Sequence, residues 1–463
     1  MTNEKQSKLQ ISLKNLASSV SDMVDKEITL SPITPHIESL FHWELNDFKY
    51  TDKGIENTGA HGKKTLHKYW SGATIKLEEK ITQLPDFIEA EKVIKNNCPK
   101  STNSSSALNI FIKVILPIYL ENQKEKRLKA IKNVIKIFIR DLKKQPFKGV
   151  CSFDIHGITI ESERIKLAEG VSLRQSKKED FEIPTSPIGG YNRDEMGKPR
   201  HTVVLEVELM FINEIDINNV MFQTIADKYI TLFRLYKPGA VQYNSYSMKT
   251  DMILPPFFSG MITQASKASY GLIPYFIKKN DEVKLRFFCK KLILPKGVYD
   301  SFSEKKITCI SIAYDRYSEA LLETTSPERK ITNAVMGLEA LFSADSMELS
   351  FKLSTRVSKL LSFIGYDSLK AKKVLSLAYE VRSAFSHGGH LNSKLKTKIE
   401  SRHSNIDAFL LEIIDYLRVS LIIFTNCTLK KDDLIKIIDE SLIDDRKAKE
   451  LKANLSKIKL FLF

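Results

Sequence analysis

The chain has 463 residues, of which 43% are hydrophobic and 27% are charged. These proportions are ordinary for folded globular proteins, and they exclude a wholly disordered or fibrous chain. The 71 Lys and Arg exceed the 56 Asp and Glu, giving a net charge of +15 that favours polyanionic partners such as nucleic acid. The five cysteines are widely spaced without a C-x-x-C pair, so we expect reduced thiols rather than disulfides or a zinc ribbon.

No stretch of the sequence predicts export or membrane insertion. The first ten residues are polar and lack the apolar centre of a signal peptide. The longest apolar stretches, at 108–120 and 417–425, are shorter than a bilayer span or carry charge. We therefore expect a cytoplasmic protein.

The N-terminal region, residues 1–148, begins with polar runs and two prolines before residue 40, which predicts a loosely packed start. The Ser- and Asn-rich stretch at 101–106 is typical of a linker that ends in a helix N-cap.

Residues 121–148 predict a basic amphipathic helix, because they hold ten basic and three acidic side chains. Apolar side chains recur there at spacings of three and four, which indicates one buried face: Leu128, Ile131, Ile135, Phe138 and Leu142. Its basic side chains either bind RNA phosphates or form an ordinary solvated face. The candidate phosphate ligands are Lys124, Arg127, Lys132, Lys136 and Arg140.

Residues 149–302 predict a β-rich α+β domain. Four stretches alternate or run apolar with many β-branched and aromatic residues, as strands do: 151–160, 201–211, 240–246 and 283–294. A helix is predicted at 217–236, and the prolines and glycines at 176–200 predict a long loop.

Residues 303–463 predict an all-α bundle, so the expected class is α+β, with a mixed N-terminal region followed by helices. The predicted helices are 307–324, 328–343, 349–364, 368–386 and 395–427, then two short ones. Pro327 suits a first helical turn, and Gly365 and Gly388 suit helix ends. Because residues 318–463 hold 23 basic and 19 acidic side chains, most of the net charge precedes them.

One predicted helix of the bundle ends in YEVRSAFSHGGH (379–390), where Arg382 and His387 form an R-x4-H pattern. Upstream stand the blocks GLEALFS (337–343) and ELSFKLSTRVSKLL (348–361). Together the three blocks resemble the ApeA-type HEPN domain of bacterial anti-phage abortive-infection proteins. Ribonucleases of that superfamily carry R-x4-6-H at a helix end, and the resemblance covers about residues 305–430.

The resemblance implies a metal-independent endoribonuclease that uses no cofactor and works as a homodimer or larger assembly. Two copies of the motif would line one cleft, RNA would be the substrate, and tRNA loops would suit such a cleft. Ser383 stands where many active members have Asn, Asp or His. Residues 1–300 would then regulate the nuclease, for instance by sensing a phage-derived trigger.

The two motif residues suit this chemistry because RNA carries its own nucleophile, the 2′-hydroxyl. His387 can move a proton near neutral pH, and Arg382 offers a permanent fork of donors to a phosphate. Residues five apart on a straight helix lie about 140° apart. We therefore expect Gly388 and Gly389 to let His387 leave the helical path, and a two-fold dimer to bring two motifs together.

Three further residues near the motif have two interpretations each, and for a fourth, His390, we expect no metal-binding function. Glu339 either holds Arg382 in place or is an exposed carboxylate, and Arg356 either binds phosphate or pairs with Glu339. Tyr379, one turn before Arg382, either stacks on a base or joins the core. His390 forms H-x-x-H with the motif histidine, but no third ligand stands near, so we expect no metal site.

Two other functional classes stay open. The domain could be a catalytically inactive HEPN module that binds RNA or a protein. The basic N-terminal region could instead be a DNA-binding regulator that the helices dimerise. Motifs of P-loop enzymes, α/β-hydrolases and dinucleotide-binding proteins are absent from the sequence. Four N-terminal histidines, at 36, 42, 61 and 67, are expected in loops, and the apolar end 460–463 is expected to dock on the core or on a partner subunit.

Overall fold

The fold is that of a computed structural model of the chain. The structure describes residues 3–30, 33–45, 48–51, 54–57, 60–69, 71–98, 104–122, 124–143, 146–176, 203–211, 219–251, 259–261, 275–300, 307–323, 325–343, 349–389, 391–456 and 458–461. Three predicted features lie outside these residues: nearly all of the loop at 176–200, the boundary near 303, and His390. The overall class is α+β, as the sequence predicts.

Five helices form an N-terminal layer with its own core. They are α1 (Asn3–Leu30), α2 (Ser71–Ile81), α3 (Pro85–Asn97), α4 (Ser104–Glu121) and α5 (Lys124–Leu142). The predicted loosely packed start is wrong, because α1 buries Leu9, Leu13, Leu16, Val20 and Val24 completely. These residues follow helical spacing, but the polar residues between them make the pattern weak in the sequence.

Two strand pairs lie between α1 and α2. Strands β1 (His36–Leu45) and β4 (Ala60–Tyr69) pair antiparallel, as do β2 (Phe48–Thr51) and β3 (Gly54–Asn57). The four N-terminal histidines therefore lie in strands β1 and β4, and their expected placement in loops is wrong.

Helix α5 confirms the predicted basic helix over 124–142, but the predicted bounds of 121–148 are too wide, because Glu121 ends α4 and residues 147–148 begin strand β5 (Phe147–His156). The buried face of α5 also differs at one end. Ile131, Ile135, Phe138 and Leu142 are buried as predicted, whereas Leu128 is 62% exposed. The predicted burial of Leu128 is wrong because the N-terminal core ends one turn later, at Ile131.

The middle of the chain forms an antiparallel sheet of six strands in the order β11-β10-β5-β9-β8-β7. Its strands are β5 (Phe147–His156), β7 (Arg164–Ala168), β8 (Val171–Gln175), β9 (Val203–Phe211), β10 (Gln242–Thr250) and β11 (Ser259–Met261). Short strands β6 (Thr159–Ile160) and β12 (Phe276–Ile277) pair in parallel beside it. Helix α6 (Asn219–Tyr236) shares the core of the sheet, so the helix predicted at 217–236 is confirmed.

The strand predicted at 283–294 is wrong, because residues Glu282–Lys291 form helix α7. Apolar and basic residues alternate there in part, which favours a strand in the sequence. The buried residues are Leu285, Phe288 and Cys289, whose spacings of three and one belong to a helix face.

The C-terminal part is a helical bundle. Its helices are α8 (Lys296–Tyr299), α9 (Cys309–Leu322), α10 (Pro327–Phe342), α11 (Leu349–Ser362), α12 (Ser368–Ser386), α13 (Ser393–Glu400), α14 (Ile406–Asn426), α15 (Lys431–Glu440) and α16 (Asp445–Leu455). The single helix predicted at 395–427 is wrong, since α13 ends at Glu400 and the Asn405 side chain starts α14 by accepting from the Ala408 amide at 2.8 Å. Pro327 opens α10 as predicted, after the N-cap Ser326. In the described ranges, no helix combines the length and apolar character of a bilayer span.

Sheet and bundle share one continuous core, which runs from Phe147 to Ile458. The hydroxyl of Tyr317 on α9 donates to the Arg234 carbonyl of α6 at 2.5 Å, and the Tyr314 hydroxyl bonds to Thr231 at 3.0 Å. The C-terminal Phe461 packs on the ring of Phe288, with centroids 6.1 Å apart. The predicted regions 149–302 and 303–463 are therefore joined by packing, whereas residues 9–142 hold a separate core.

A buried arginine fixes α14 against α6. Arg418 Nη1 donates to the carbonyl of Leu235 at 2.8 Å and to that of Tyr236 at 3.3 Å, and Nε donates to Asp415 at 2.7 Å. Burial lowers the pKa of Arg418, but the charge and hydrogen bond of Asp415, together with Tyr317 and Tyr366, outweigh burial and leave the pKa above its usual value. The guanidinium thus stays charged, and it satisfies carbonyls at the C-terminal end of α6.

Replacing Arg418 with Met should therefore lower the free energy of unfolding by about 3–5 kcal/mol, because two carbonyls lose their donor and Asp415, which keeps its bond from Tyr366, loses its charged partner. Urea unfolding followed by circular dichroism measures this loss. The matched control is Arg446→Met, since Arg446 also pairs with an aspartate, Asp444 at 3.4 Å, but is 92% exposed. The control should change the free energy by less than about 0.5 kcal/mol. Equal effects of the two substitutions would show that the buried contact is unimportant.

Candidate active site

Helix α12 carries the motif and ends in a glycine turn. The Gly389 amide donates to the Ala384 carbonyl at 2.9 Å, and the Gly388 amide donates to the Phe385 carbonyl at 3.0 Å. These two bonds form a Schellman motif, and Gly388 adopts the left-handed φ of +78° that this turn requires. His387 is the first residue off the helix, with φ −95° and ψ 19°, and it is exposed.

Arg382, one turn earlier, points to the neighbouring helix α10. Its Nη2 donates to Glu339 Oε2 at 3.1 Å, so the contact that the sequence predicts between these residues is present. Its guanidinium carbon lies 5.6 Å from the centre of the Tyr379 ring, within the range of a cation–π interaction. Because Arg382 remains 27% exposed, its guanidinium is held in place without being sealed from solvent.

The contact between Glu339 and Arg382 uses only some of the hydrogen-bonding atoms of the two side chains. Glu339 Oε1 and Arg382 Nε are both buried, and neither forms a hydrogen bond within the described part of the chain. Burial raises the pKa of Glu339, and the opposing attraction of Arg382 does not return it to its usual value. Each side chain of the pair therefore has one buried polar atom that the contact between them does not satisfy.

Arg382 and His387 point to different surroundings in one chain. Among the described residues no hydrogen bond joins them, since the arginine contacts α10 while the histidine stands beyond the end of α12. A single chain thus presents an anchored positive charge and, apart from it, an exposed imidazole. Joining the two groups on one phosphate requires a second motif or a bent path of the substrate.

The two functions predicted for Arg356 are wrong. Its Nε and Nη2 bind both oxygens of Asp439 at 2.8 and 2.7 Å, and its Nη1 donates to the Phe342 carbonyl at 2.8 Å. The residue is only 7% exposed, so it neither reaches a phosphate nor pairs with Glu339. Its bidentate contact instead links α11 to α15 and satisfies the end of α10. Leu353 and Val357 beside it in the sequence already mark this face of α11 as buried.

Two of the five phosphate ligands predicted on α5 are engaged in ion pairs within the protein. Arg127 pairs with Asp25 at 2.8 Å, and Arg140 pairs with Asp251 at 2.6 Å, so both arginines serve internal contacts. Lys132 and Lys136 are exposed as predicted. Lys124 begins α5, but its side chain lies outside the described residues.

Surface cavities border the motif. One of about 590 Å³ lies between Tyr379 and the start of α11, where Phe351 is 61% exposed. A second, of about 420 Å³, is lined by Tyr379, Ser383 and residues of α13. Tyr379 packs partly buried against the core and also lines both cavities. The sequence analysis missed Phe351, whose only signal is one aromatic residue within the polar run ELSFK.

The residues that could bind a metal ion do not cluster. Within the described ranges, no group of three or more His, Cys, Asp or Glu side chains is arranged to hold one. Each of the five cysteines is a free thiol.

Comparison of the chain with models of protein families, with curated proteins and with solved structures finds no match. The resemblance of the three sequence blocks at 337–343, 348–361 and 379–390 is therefore the basis on which this chain is compared with other proteins.

Replacing Glu339 with Gln should change how stability depends on pH. Because the folded-state pKa of Glu339 is raised above its ordinary value of 4.5, its contribution is greatest below that value and is lost as the pH rises through the folded-state pKa. The free energy of unfolding of the wild type, minus that of E339Q, should therefore fall across mildly acidic pH and then level off. Urea unfolding at several pH values measures the difference, and parallel curves would contradict it.

Replacing Gly388 with Ala should lower the free energy of unfolding by about 1–2 kcal/mol, because a side chain opposes a φ of +78°. Gly388→Asn should cost less, since asparagine tolerates the left-handed conformation better. Thermal unfolding of the three proteins should give the order Gly, Asn, Ala from most to least stable. Equal stabilities would mean that the turn rearranges.

Proposed function

We propose that this chain is a metal-independent endoribonuclease that acts as a homodimer through Arg382 and His387. The observation that carries the proposal is the arrangement at the end of α12. His387 is exposed on a rigid glycine turn, and Arg382 is held one turn earlier by Glu339 while it keeps contact with solvent. An exposed imidazole and an anchored guanidinium are the two groups that this cleavage needs.

In the proposed reaction, a neutral His387 accepts the proton of a ribose 2′-hydroxyl. The 2′-oxygen attacks the adjacent phosphorus, the bond from phosphorus to the 5′-oxygen breaks, and the leaving oxygen takes a proton. The products are a 2′,3′-cyclic phosphate and a 5′-hydroxyl. A second His387, from the other chain of the dimer, can supply that proton in its protonated form.

Arg382 would stabilise the negative charge that develops on the phosphate. A guanidinium has five N–H donors, and its described hydrogen bond to Glu339 uses only one of them. Glu339 thereby acts as a positioning residue, because it fixes the direction of the fork while leaving donors for phosphate oxygens. Ser383, on the same stretch of α12, lines a neighbouring cavity and could contact the RNA.

The biological setting that we propose is an abortive-infection response in the cytoplasm, with tRNA among the candidate substrates. A nuclease of this kind must be restrained before infection, which assigns residues 1–300 to sensing a phage-derived trigger. The contacts of Arg418 and Tyr317 with helix α6 support this assignment, because they connect the sheet directly to the bundle.

The proposal is tested by incubating protein purified from phage-challenged cells with RNA in the presence of EDTA. Wild type should release fragments with 2′,3′-cyclic phosphate ends, and His387→Ala should slow cleavage by about 10²–10⁴-fold. Arg382→Lys should also slow it, because lysine keeps the charge but loses the planar fork.

The matched control is His36→Ala, since His36 is also exposed but lies in β1. It should cleave like wild type. Because His387 is exposed, its replacement should leave the fold intact, so loss of cleavage would report on chemistry. Equal cleavage by wild type and His387→Ala, or cleavage that EDTA abolishes, would overturn the proposal.

A second candidate is a non-catalytic module that binds RNA or a protein, and one observation favours it. Glu339 neutralises the charge of Arg382, which would weaken its attraction for a phosphate. Ser383 after the arginine also departs from the residues that many active HEPN nucleases carry. This candidate would bind RNA in a salt-dependent manner and release no fragments.

A further inference from the structure

A chain of surface cavities runs along helix α12. The first is the cavity of about 590 Å³ at Phe351, and Tyr379 separates it from the second, of about 420 Å³. A third cavity, of about 300 Å³, follows between α12 and α13. Glu380 and Lys398 line both the second and the third cavity, so these two cavities adjoin. We call this feature the α12 groove.

The residues of α12 that line the groove form one stripe that leads to the motif. Lys372, Ser376, Tyr379 and Ser383 are spaced by four, three and four residues, which places them on one helix face. His387 follows Ser383 by four residues and stands just beyond the helix end. A ligand lying in the groove is therefore directed to the end of α12 that carries His387.

The charge of the groove is strongly positive. Five basic side chains line its second and third cavities: Lys372, Lys373, Lys394, Lys398 and Arg402. Glu380 is the acidic one among the lining residues of these cavities. The resulting excess of four charges equals that of all residues 318–463, with 23 basic and 19 acidic side chains. Positive charge is therefore concentrated in the groove rather than spread over the bundle.

The first cavity adds an aromatic surface. Phe351 is 61% exposed, and the Lys372 ammonium lies 4.9 Å from the centre of its ring. An exposed aromatic ring beside a basic groove is the combination that binds single strands, because bases stack on rings while phosphates follow the cations. Duplexes hide their bases and cannot use such a ring.

We propose that the α12 groove binds single-stranded RNA, with a base on Phe351 and phosphates on Lys373, Lys398 and Arg402. The inference rests on the proposed nuclease function, and it assigns the path by which the substrate reaches His387. It also moves the main RNA contact from α5 to the bundle, since Arg127 and Arg140 are engaged with aspartates.

The ion pair between Glu380 and Lys398 can be exchanged for a contact with RNA. Their charged atoms lie 2.7 Å apart, and their side chains are 48% and 41% exposed. Because an exposed pair of this kind is weak, a phosphate can replace Glu380 as the partner of Lys398. Glu380 thus opposes RNA binding, and its removal should tighten it.

The experiment measures binding of fluorescein-labelled oligouridylate to full-length protein that carries His387→Ala, so that the probe is not cleaved. In that background, the triple variant Lys373→Ala, Lys398→Ala, Arg402→Ala should weaken binding by at least about tenfold and reduce the salt slope by about 2. Phe351→Ala should weaken binding by about tenfold without changing the salt slope. Glu380→Gln should bind several-fold more tightly.

A matched control removes three exposed charges elsewhere in the bundle, with Lys436→Ala, Arg446→Ala and Lys452→Ala on α15 and α16. It should bind the probe nearly as well as the His387→Ala background. Equal losses of affinity in the two triple variants, or an RNA duplex that binds as well as the single strand, would contradict the proposal that the α12 groove binds single-stranded RNA.

Failure of the groove and failure of the nuclease are distinguishable. If wild type cleaves no RNA while the groove variants lose binding, RNA binding by the α12 groove is supported and the nuclease function is contradicted. If His387→Ala abolishes cleavage while the groove variants bind normally, and also cleave normally when His387 is kept, the nuclease function is supported and the RNA-binding groove is contradicted.

Discussion

The bundle depends on one buried guanidinium at its border with the sheet. Arg418 satisfies two carbonyls at the end of α6 and pairs with Asp415, so helix α14 has one allowed position against the sheet layer. Helices α10 and α12 pack around α14, and they carry Glu339 and the motif. Because a buried charge without its partners is strongly destabilising, this contact holds the framework of the candidate site in one arrangement.

The two key side chains of the candidate site differ in how firmly they are held. Arg382 is fixed from two sides, by Glu339 and by the ring of Tyr379, whereas His387 stands on a turn in contact with solvent. A fixed cation and a free imidazole suit different tasks, since charge stabilisation requires a rigid group and proton transfer requires an accessible one. The proposed pairing of two chains would bring one group of each kind to both sides of a single phosphate.

Sequence analysis was most successful where local chemistry determines structure. The bounds of α12 and the turn at Gly388 follow from capping and from the freedom of glycine, which are properties of a few neighbouring residues. Partners distant in the chain were not predictable in this way. Arg356 and Asp439 are separated by 83 residues, and only the packing of α11 on α15 brings them together. The exposure of Phe351 likewise depends on the cavity around it rather than on its sequence neighbours.

The continuous core means that the sheet and the bundle cannot be separated without exposing apolar surface. Some toxic enzymes are released when a protease cuts away an inhibitory part. If the chain is the nuclease proposed above, a cut between the sheet and the bundle would uncover the apolar side of α9 and separate Arg418 from the carbonyls that it binds. Control of the bundle by the sheet would then have to act through an intact molecule.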